Sequence, residues 1–197
     1  MVESAEKGLP IIIMAGGRGS RLEKQVEKPL LKVNSRNLLE RIIERVSEYE
    51  QRYKVAISPN SPETKYFCKS RNIDMIKTQG DGYIEDSKEI YESLGPFISI
   101  AVDIPFLKVS DIRCIEKNFD GRSTTGVINY KEAKKVTDPE VFFYEDGEKV
   151  VPVGLNIFAE TSEQKLVYLD NEKLALNVNT LADKRKVETI EERGEMG

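Results

Sequence analysis

No histidine occurs in the 197-residue chain, and this removes the commonest general base, every Ser-His-Asp or Cys-His triad and the usual zinc sites. Any chemistry must run without imidazole. Cysteine is almost as scarce. Cys68 and Cys114 are isolated, with no CxxC spacing and no paired framework, so both are expected to be reduced, at least partly buried thiols with no part in a mechanism. No apolar run approaches the ~18 residues that a membrane-crossing helix requires. Residues 1–7 carry two glutamates and no apolar stretch of the kind that opens a secretory signal, so the expected location is the cytoplasm. An excess of positive charge is missing as well: 30 Lys and Arg stand against 34 Asp and Glu, a net charge of −4, with the two signs interleaved. Neither nucleic acid nor a membrane surface is expected as a partner, and an anionic ligand must be held by a local site.

The charged fraction of 32% and apolar fraction of 39%, with 13 Gly and 8 Pro spread along the chain, are those of a soluble globular protein. The length suits one domain over residues 1–197 that hides roughly 70% of its unfolded-chain surface. Leu9 to Met14 form an unbroken apolar run ending in Ala15-Gly16-Gly17, which suits a parallel strand buried on both faces. Leu38, Leu39, Ile42, Ile43 and Val46 recur at helical spacing, with Glu40, Arg41, Glu44 and Arg45 on the opposite side. Further strands are expected at 54–57, 73–76, 96–102 and 124–129, with helices at 62–70 and 83–94 and another capped by Ser110 and reaching Asn118. In the last third, 141–151 reads as a hairpin around Asp146-Gly147. Strands at 154–158 and 174–178 and a charged helix from about Leu181 complete the pattern. The alternation predicts an α/β fold with a mostly parallel central sheet, helices on both faces and a small β-hairpin in the C-terminal third. In such sheets ligands bind beyond the carboxyl ends of the parallel strands.

Three strand ends carry residues suited to chemistry. At the first, Ala15-Gly16-Gly17-Arg18-Gly19-Ser20-Arg21 places three glycines within four positions. The backbone there can approach an anion closely, and Arg18 and Arg21 add charge-assisted donors for phosphate oxygens. The P-loop pattern fails for want of G-K-[ST], and the dinucleotide fingerprint fails because Leu22 stands where its third Gly belongs. A plain glycine-rich turn is the alternative. Lys28-Pro29 follows, a lysine fixed by a rigid neighbour and able to lean over the same pocket, or an ordinary surface lysine. At the second end, Asp103 closes a buried strand, where an unpaired carboxylate is costly unless it meets a cation. It reads as a Mg²⁺ ligand or as a turn-forming Asp ahead of Pro105. At the third, Asn179 is read as an amide oxygen donor to the same metal, or with Thr180 as a helix cap. Mg²⁺ takes one or two protein oxygens and leaves its other positions to water and substrate phosphate, so one Asp and one Asn suffice.

Met14-Ala15-Gly16-Gly17-Arg18-Gly19-Ser20-Arg21 with Lys28-Pro29, then Asp103, then Asn177-Val178-Asn179-Thr180 resemble the nucleotidyltransferases that include the molybdenum-cofactor guanylyltransferases and the sugar-phosphate nucleotidylyltransferases. Within that superfamily, the segments 58–65, 82–86, 151–152 and 177–180 are similar to the archaeal adenosylcobinamide-phosphate guanylyltransferases, and the likeness spans about residues 9–190. Residues 22–26 lack the Gly common after the loop in relatives, and Ala101-Val102 replace the usual lead-in to the Asp.

The resemblance implies a Rossmann-like nucleotidyltransferase fold, a homodimer and a GTP pocket built from Met14, Ala15, Gly16, Gly17, Arg18, Gly19, Ser20, Arg21, Lys28, Asn60, Gly80 and Asp103. It assigns catalytic roles to Arg21, Lys28 and Asp103, with Mg²⁺ on Asp103 and Asn179. Guanine selectivity is expected from backbone groups at Met14 to Gly16 and from Asn60 foremost. Gly80, Asp81 and Gly82 would shape the same wall, with Asp81 or Glu85 as acceptors for the base. Residues 152–156 would face the corrinoid or merely finish a sheet edge. The reaction implied is attack by the terminal phosphate of adenosylcobinamide phosphate on the α-phosphorus of GTP, with release of pyrophosphate. A phosphate monoester has its second pKa near 6 and is already largely ionised at neutral pH, which agrees with the missing histidine. The alternatives are a sugar-1-phosphate or molybdenum-cofactor nucleotidylyltransferase, or a non-catalytic GTP-binding regulatory protein.

Overall fold

Ile11, Ile12 and Ile13 are fully buried because strand β1 (Ile11–Met14) lies in the middle of the sheet and is covered on both faces. A computed structural model describes residues 8–17, 26–50, 52–161 and 163–195. Among them the chain runs through β1, a small hairpin β2 (Lys32–Val33) and β3 (Arg36–Asn37), then α1 (Leu38–Tyr49), β4 (Tyr53–Ile57), α2 (Pro62–Ser70), β5 (Met75–Lys77), α3 (Tyr83–Leu94) and β6 (Phe97–Ala101). There follow α4 (Val109–Lys117), β7 (Ser123–Asn129), α5 (Tyr130–Ala133), β8 (Phe143–Glu145), β9 (Glu148–Phe158), β10 (Gln164–Tyr168) and α6 (Leu181–Glu195). The main sheet has the order β10-β7-β9-β6-β1-β4-β5, with β8 paired to β9. β5, β4, β1 and β6 are mutually parallel, β10 is parallel to β7, and β9 runs antiparallel to both β6 and β7. The α/β fold with a mostly parallel sheet is therefore present.

The period of two in a strand sends neighbouring side chains to opposite faces. Ile11 and Ile13 join the large core shared with Leu38, Leu39 and Ile42 of α1, Cys68 of α2, Ile112 and Ile115 of α4, Ala133 of α5 and Val187 of α6. Ile12 faces the other way, into a smaller cluster with Ala56, Ile90 and Phe97 under α3. Helices thus cover both faces, unequally. α1 starts where the sequence provides a reciprocal cap: Asn37 Oδ1 accepts the Glu40 N–H at 2.8 Å, and Glu40 Oε2 accepts the Asn37 N–H at 3.1 Å. The hairpin between β8 and β9 turns on Asp146 and Gly147, with φ of 49° and 83°, the pair of positive angles that a two-residue turn of this kind requires. Cys68 is buried and Cys114 half-buried, both free, and burial pushes the Cys68 thiol up to about 11. No helix among the described residues is long and apolar enough to cross a membrane.

Three expectations are corrected. Ser110 does not cap α4. The helix starts at Val109, and the buried Asp111 carboxylate accepts the Lys108 N–H at 2.9 Å and the Asn171 side-chain N–H at 2.7 Å. Residues 174–178 form no strand. Glu172–Ala175 make a 3₁₀ turn, and the alternating burial of Leu174, Leu176 and Val178 comes from an extended segment lying on the core, with the Val178 N–H donated to the Asp103 carbonyl at 2.9 Å. The strands not expected from the sequence are the two-residue pair β2 and β3 and β10, a short edge strand whose ends are Gln164 and Tyr168. The hairpin arm expected at 149–151 and the strand expected at 154–158 are one element, β9.

Candidate active-site cleft

The carboxyl ends of β1, β4 and β6 open onto a cleft of about 670 Å³, lined by Met14, Ala15, Gly16 and Gly17 from the first, Ala56 from the second and Ala101, Val102 and Asp103 from the third. Lys28, Pro29 and Asn179 close one end, and residues 80–83 with Asp86 close the other. Among the described lining residues Lys28 is the one cation. Arg18, Gly19, Ser20 and Arg21, read as the remainder of the phosphate loop, lie outside the described residues.

Lys28 is held at the cleft by its neighbours. The first backbone N–H groups of a helix have no partner within the helix, and Ser61 offers α2 no side-chain cap. Glu27 supplies it instead: Oε1 accepts the Glu63 N–H at 2.7 Å, and Oε2 accepts the Thr64 N–H at 2.8 Å and the Thr64 hydroxyl at 2.6 Å. The carboxylate also favours the positive end of the α2 dipole. On the other side, the buried Pro29 opens a 3₁₀ turn, Lys28–Leu30. With both neighbours fixed, Lys28 projects its ammonium between Asp103 and Asn179. It donates to Asp103 Oδ2 and, at 2.6 Å, to Asn179 Oδ1. The side chains of Lys28 and Asp103 are 18% and 14% exposed, so the pair is shielded from bulk water.

Asn179 reaches this place because the Val178 N–H is tied to the Asp103 backbone and because a second cap follows. Asp183 Oδ2 accepts the N–H groups of Asn179 and Thr180 at 3.0 and 2.8 Å, and Thr180 Oγ1 accepts the Asp183 N–H at 3.2 Å. Thr180 does the capping, which leaves the Asn179 amide for the cleft. Asp103 Oδ1 is buried and accepts no hydrogen bond from any described residue. A buried carboxylate oxygen without a partner is expensive, so this position suits a cation or a donor delivered by a ligand. Among the described residues no group of three or more His, Cys, Asp or Glu could hold a metal. A divalent ion here would depend on Asp103, Asn179, water and substrate oxygens, a set of hard donors that Mg²⁺ accepts.

The opposite wall is built on Ser58. Its hydroxyl donates to the Gly16 carbonyl at 2.6 Å and accepts the Asn60 N–H at 3.1 Å. Asn60, expected in the pocket, is not among the lining residues; its side chain leans on the Gly80 carbonyl at 3.4 Å. Gly80 does line the cleft, at φ +78°, and a Cβ there would stand 2.7 Å from Asn60 Nδ2 and 2.8 Å from Ser58 Oγ. Gly80→Ala should therefore cost about 2–4 kcal/mol, from the left-handed backbone together with overpacking. Thermal unfolding should show the loss, and nucleotide affinity should fall with it because the wall must move. Asp81 and Glu85 are exposed, whereas Asp86, one turn into α3, is buried and lines the cleft. The sequence reading passed over Asp86. The available signal was a carboxylate four residues before Ile90 on the apolar face of α3.

The family model of the MobA-like NTP transferase domain matches residues 11–173. No curated protein matches. Among solved structures, HddC from Yersinia pseudotuberculosis complexed with GMP-PN is similar at 14% identity and a TM-score of 0.69, over 92% of this chain and 99% of that one. Molybdopterin-guanine dinucleotide biosynthesis protein A from Archaeoglobus fulgidus aligns at 16% identity and a TM-score of 0.65, covering 94% of this chain and 100% of the other. The CTP:phosphocholine cytidylyltransferase LicC from Streptococcus pneumoniae aligns at 14% identity and 0.63, covering 93% and 99%. At these identities the structures establish a common fold.

Proposed function

The chain belongs to the MobA-like NTP transferase domain family, and from that premise we propose that it transfers GMP from GTP to adenosylcobinamide phosphate and releases pyrophosphate. The observation that carries the reading is the Lys28, Asp103 and Asn179 cluster at the strand-end cleft, with one oxygen of Asp103 buried and unpartnered. In the proposed reaction a terminal phosphate oxygen of the acceptor forms a bond to the α-phosphorus of GTP. The bond from that phosphorus to the bridging oxygen breaks, and pyrophosphate leaves with the electron pair. No proton has to be removed from the nucleophile, in keeping with a chain that has no histidine.

The difficulty is repulsion between anions. Catalysis of this kind rests on in-line positioning and charge stabilisation. The Lys28 ammonium and the N–H groups of the Gly16-Gly17 segment would bind phosphate oxygens at one end of the cleft, with Arg18 and Arg21 as further donors. Asp103 and Asn179 would hold Mg²⁺, which when bound neutralises phosphate charge and polarises the phosphoryl oxygens. The choice of acceptor is supported by the resemblance of segments 58–65, 82–86, 151–152 and 177–180 to cobinamide-phosphate guanylyltransferases. Two of the similar structures carry guanine nucleotides in their names, as ligand or as product.

Pyrophosphate release tests the proposal. GTP with Mg²⁺ and adenosylcobinamide phosphate should give stoichiometric pyrophosphate, while ATP, CTP or UTP should give little. Release with a sugar 1-phosphate or with molybdopterin in place of the corrinoid would overturn the acceptor. GTP binding without release for any acceptor would point to a regulatory protein instead.

A further inference from the structure

The cleft has two chemically different ends. One holds Lys28 between Asp103 and Asn179; the other contains a carboxylate with no countercharge. Asp86 is 7% exposed, and its Oδ1 accepts the Gly80 N–H at 2.9 Å. The second carboxylate oxygen meets no hydrogen-bond or ion-pair partner among the described residues, although Asp86 lines the cleft. Unlike Asp103 Oδ1, that oxygen is not sealed off in the protein, so it is free to accept from a ligand in the cleft. With no cation beside it among the described residues, where Asp103 has Lys28, this carboxylate disfavours phosphate, because like charges repel in a shielded site. A neutral group that presents N–H donors suits this end.

We propose that Asp86 reads the base, accepting the N1–H and N2–H donors of guanine and so setting the nucleotide preference. This rests on the GTP reading above and names the side chain that enforces it. Guanine carries two adjacent N–H donors on its pairing edge. Adenine and cytosine present a donor beside a lone pair, and uracil a single N–H between two carbonyls. A carboxylate satisfies the guanine edge and repels the ring nitrogen of adenine, so attraction and rejection come from one group. The exposed Asp81 and Glu85 compete with water for the same donors and discriminate weakly. Asp86 is also preorganised: the Gly80 N–H fixes one oxygen, and Ser58 and Asn60 brace Gly80 from behind.

Calorimetric titration of the intact chain and of Asp86→Asn with GTP, ITP and ATP tests the assignment, because ITP differs from GTP only by loss of the N2 amine. The unaltered protein should bind GTP about tenfold or more tighter than ITP. Asp86→Asn keeps one acceptor for Gly80 and turns the other atom into a donor. It should weaken GTP by about 10- to 100-fold, bring GTP and ITP to similar affinity and leave ATP unchanged or tighter. Equal weakening of all three nucleotides would make Asp86 a prop for the Gly80 loop and overturn the assignment. So would an unaltered protein that prefers GTP to ATP but binds ITP as well as GTP, and in both cases the guanylyl reading would survive. A preference for ATP over GTP in the unaltered protein would remove that reading and this one together. Thermal unfolding is followed in parallel. If Asp86→Asn does not fold, Asp86→Ser, whose hydroxyl can still accept from Gly80, supplies the same GTP-to-ITP ratio.

Discussion

Asp103→Asn is expected to lower the turnover of nucleotidyl transfer by about 10²–10³-fold, the scale on which one preorganised electrostatic group acts, while the protein stays folded. The substitution preserves shape and the backbone link from the Asp103 carbonyl to the Val178 N–H. It removes the charge that Lys28 pairs with, but the amide oxygen still accepts from the ammonium, which also keeps Asn179 Oδ1, so the fold loses only about 1 kcal/mol. The thermal midpoint should move by no more than about 4 °C, the shift that 1 kcal/mol produces in a protein of this size. Binding gives the sharper result. Without divalent cation, GTP should bind Asp103→Asn as well as or better than the unaltered protein, since an anion facing the triphosphate is gone. With Mg²⁺ the order should reverse, because the amide offers the ion no charge. If calorimetry shows the same Mg²⁺ dependence in both proteins, Asp103 is not a ligand, and its partnership with Lys28 is structural.

The parts legible in the sequence are those that one local rule decides. α2 and α3 have the expected bounds, since Pro62 and Gly82 punctuate their starts and Arg71 and Gly95 follow their ends. β1 was legible from its unbroken apolar run. Local rules fail where a segment's partner lies far away in the chain. Leu174, Leu176 and Val178 alternate as a strand would, but their backbone groups bond within a 3₁₀ turn and to Asp103, so no ladder forms. β10 is the converse, a short stretch with no marked alternation that becomes a strand by pairing with β7 at the sheet edge. In the cleft, position along the chain was legible and direction was not. Asp103 stands past the end of β6 as expected, and Lys28 and Asn179 converge on it, the one from a 3₁₀ turn and the other from an extended segment that is no strand. Asn60 sits at an equally suitable strand end, but its side chain is taken up by Gly80, and the inward carboxylate comes from one turn into the following helix. Glu27 gave no sign of its role, because the helix that it caps begins 35 residues later.

Lys28→Met should be the more damaging change, and for a different reason. It lowers turnover by a similar factor, about 10²–10³, but it also exposes the Asp103 carboxylate to the incoming triphosphate with nothing between them. Without divalent cation, GTP affinity should therefore fall by about 10- to 100-fold, the cost of leaving a shielded charge without its partner, where Asp103→Asn leaves it intact. The two residues form one electrostatic unit, so their effects should not add. In the double variant Lys28→Met with Asp103→Asn, the repulsion is absent. Affinity for GTP without divalent cation should recover most of the loss caused by Lys28→Met alone, while turnover stays at the level of the worse single variant. Lys28→Arg should not rescue activity, because a planar guanidinium fork cannot replace a compact ammonium seated between Asp103 Oδ2 and Asn179 Oδ1. Additive losses of affinity in the double variant, or full activity in Lys28→Arg, would mean that the ammonium acts on the nucleotide as an independent surface charge and that its contact with Asp103 has no part in binding.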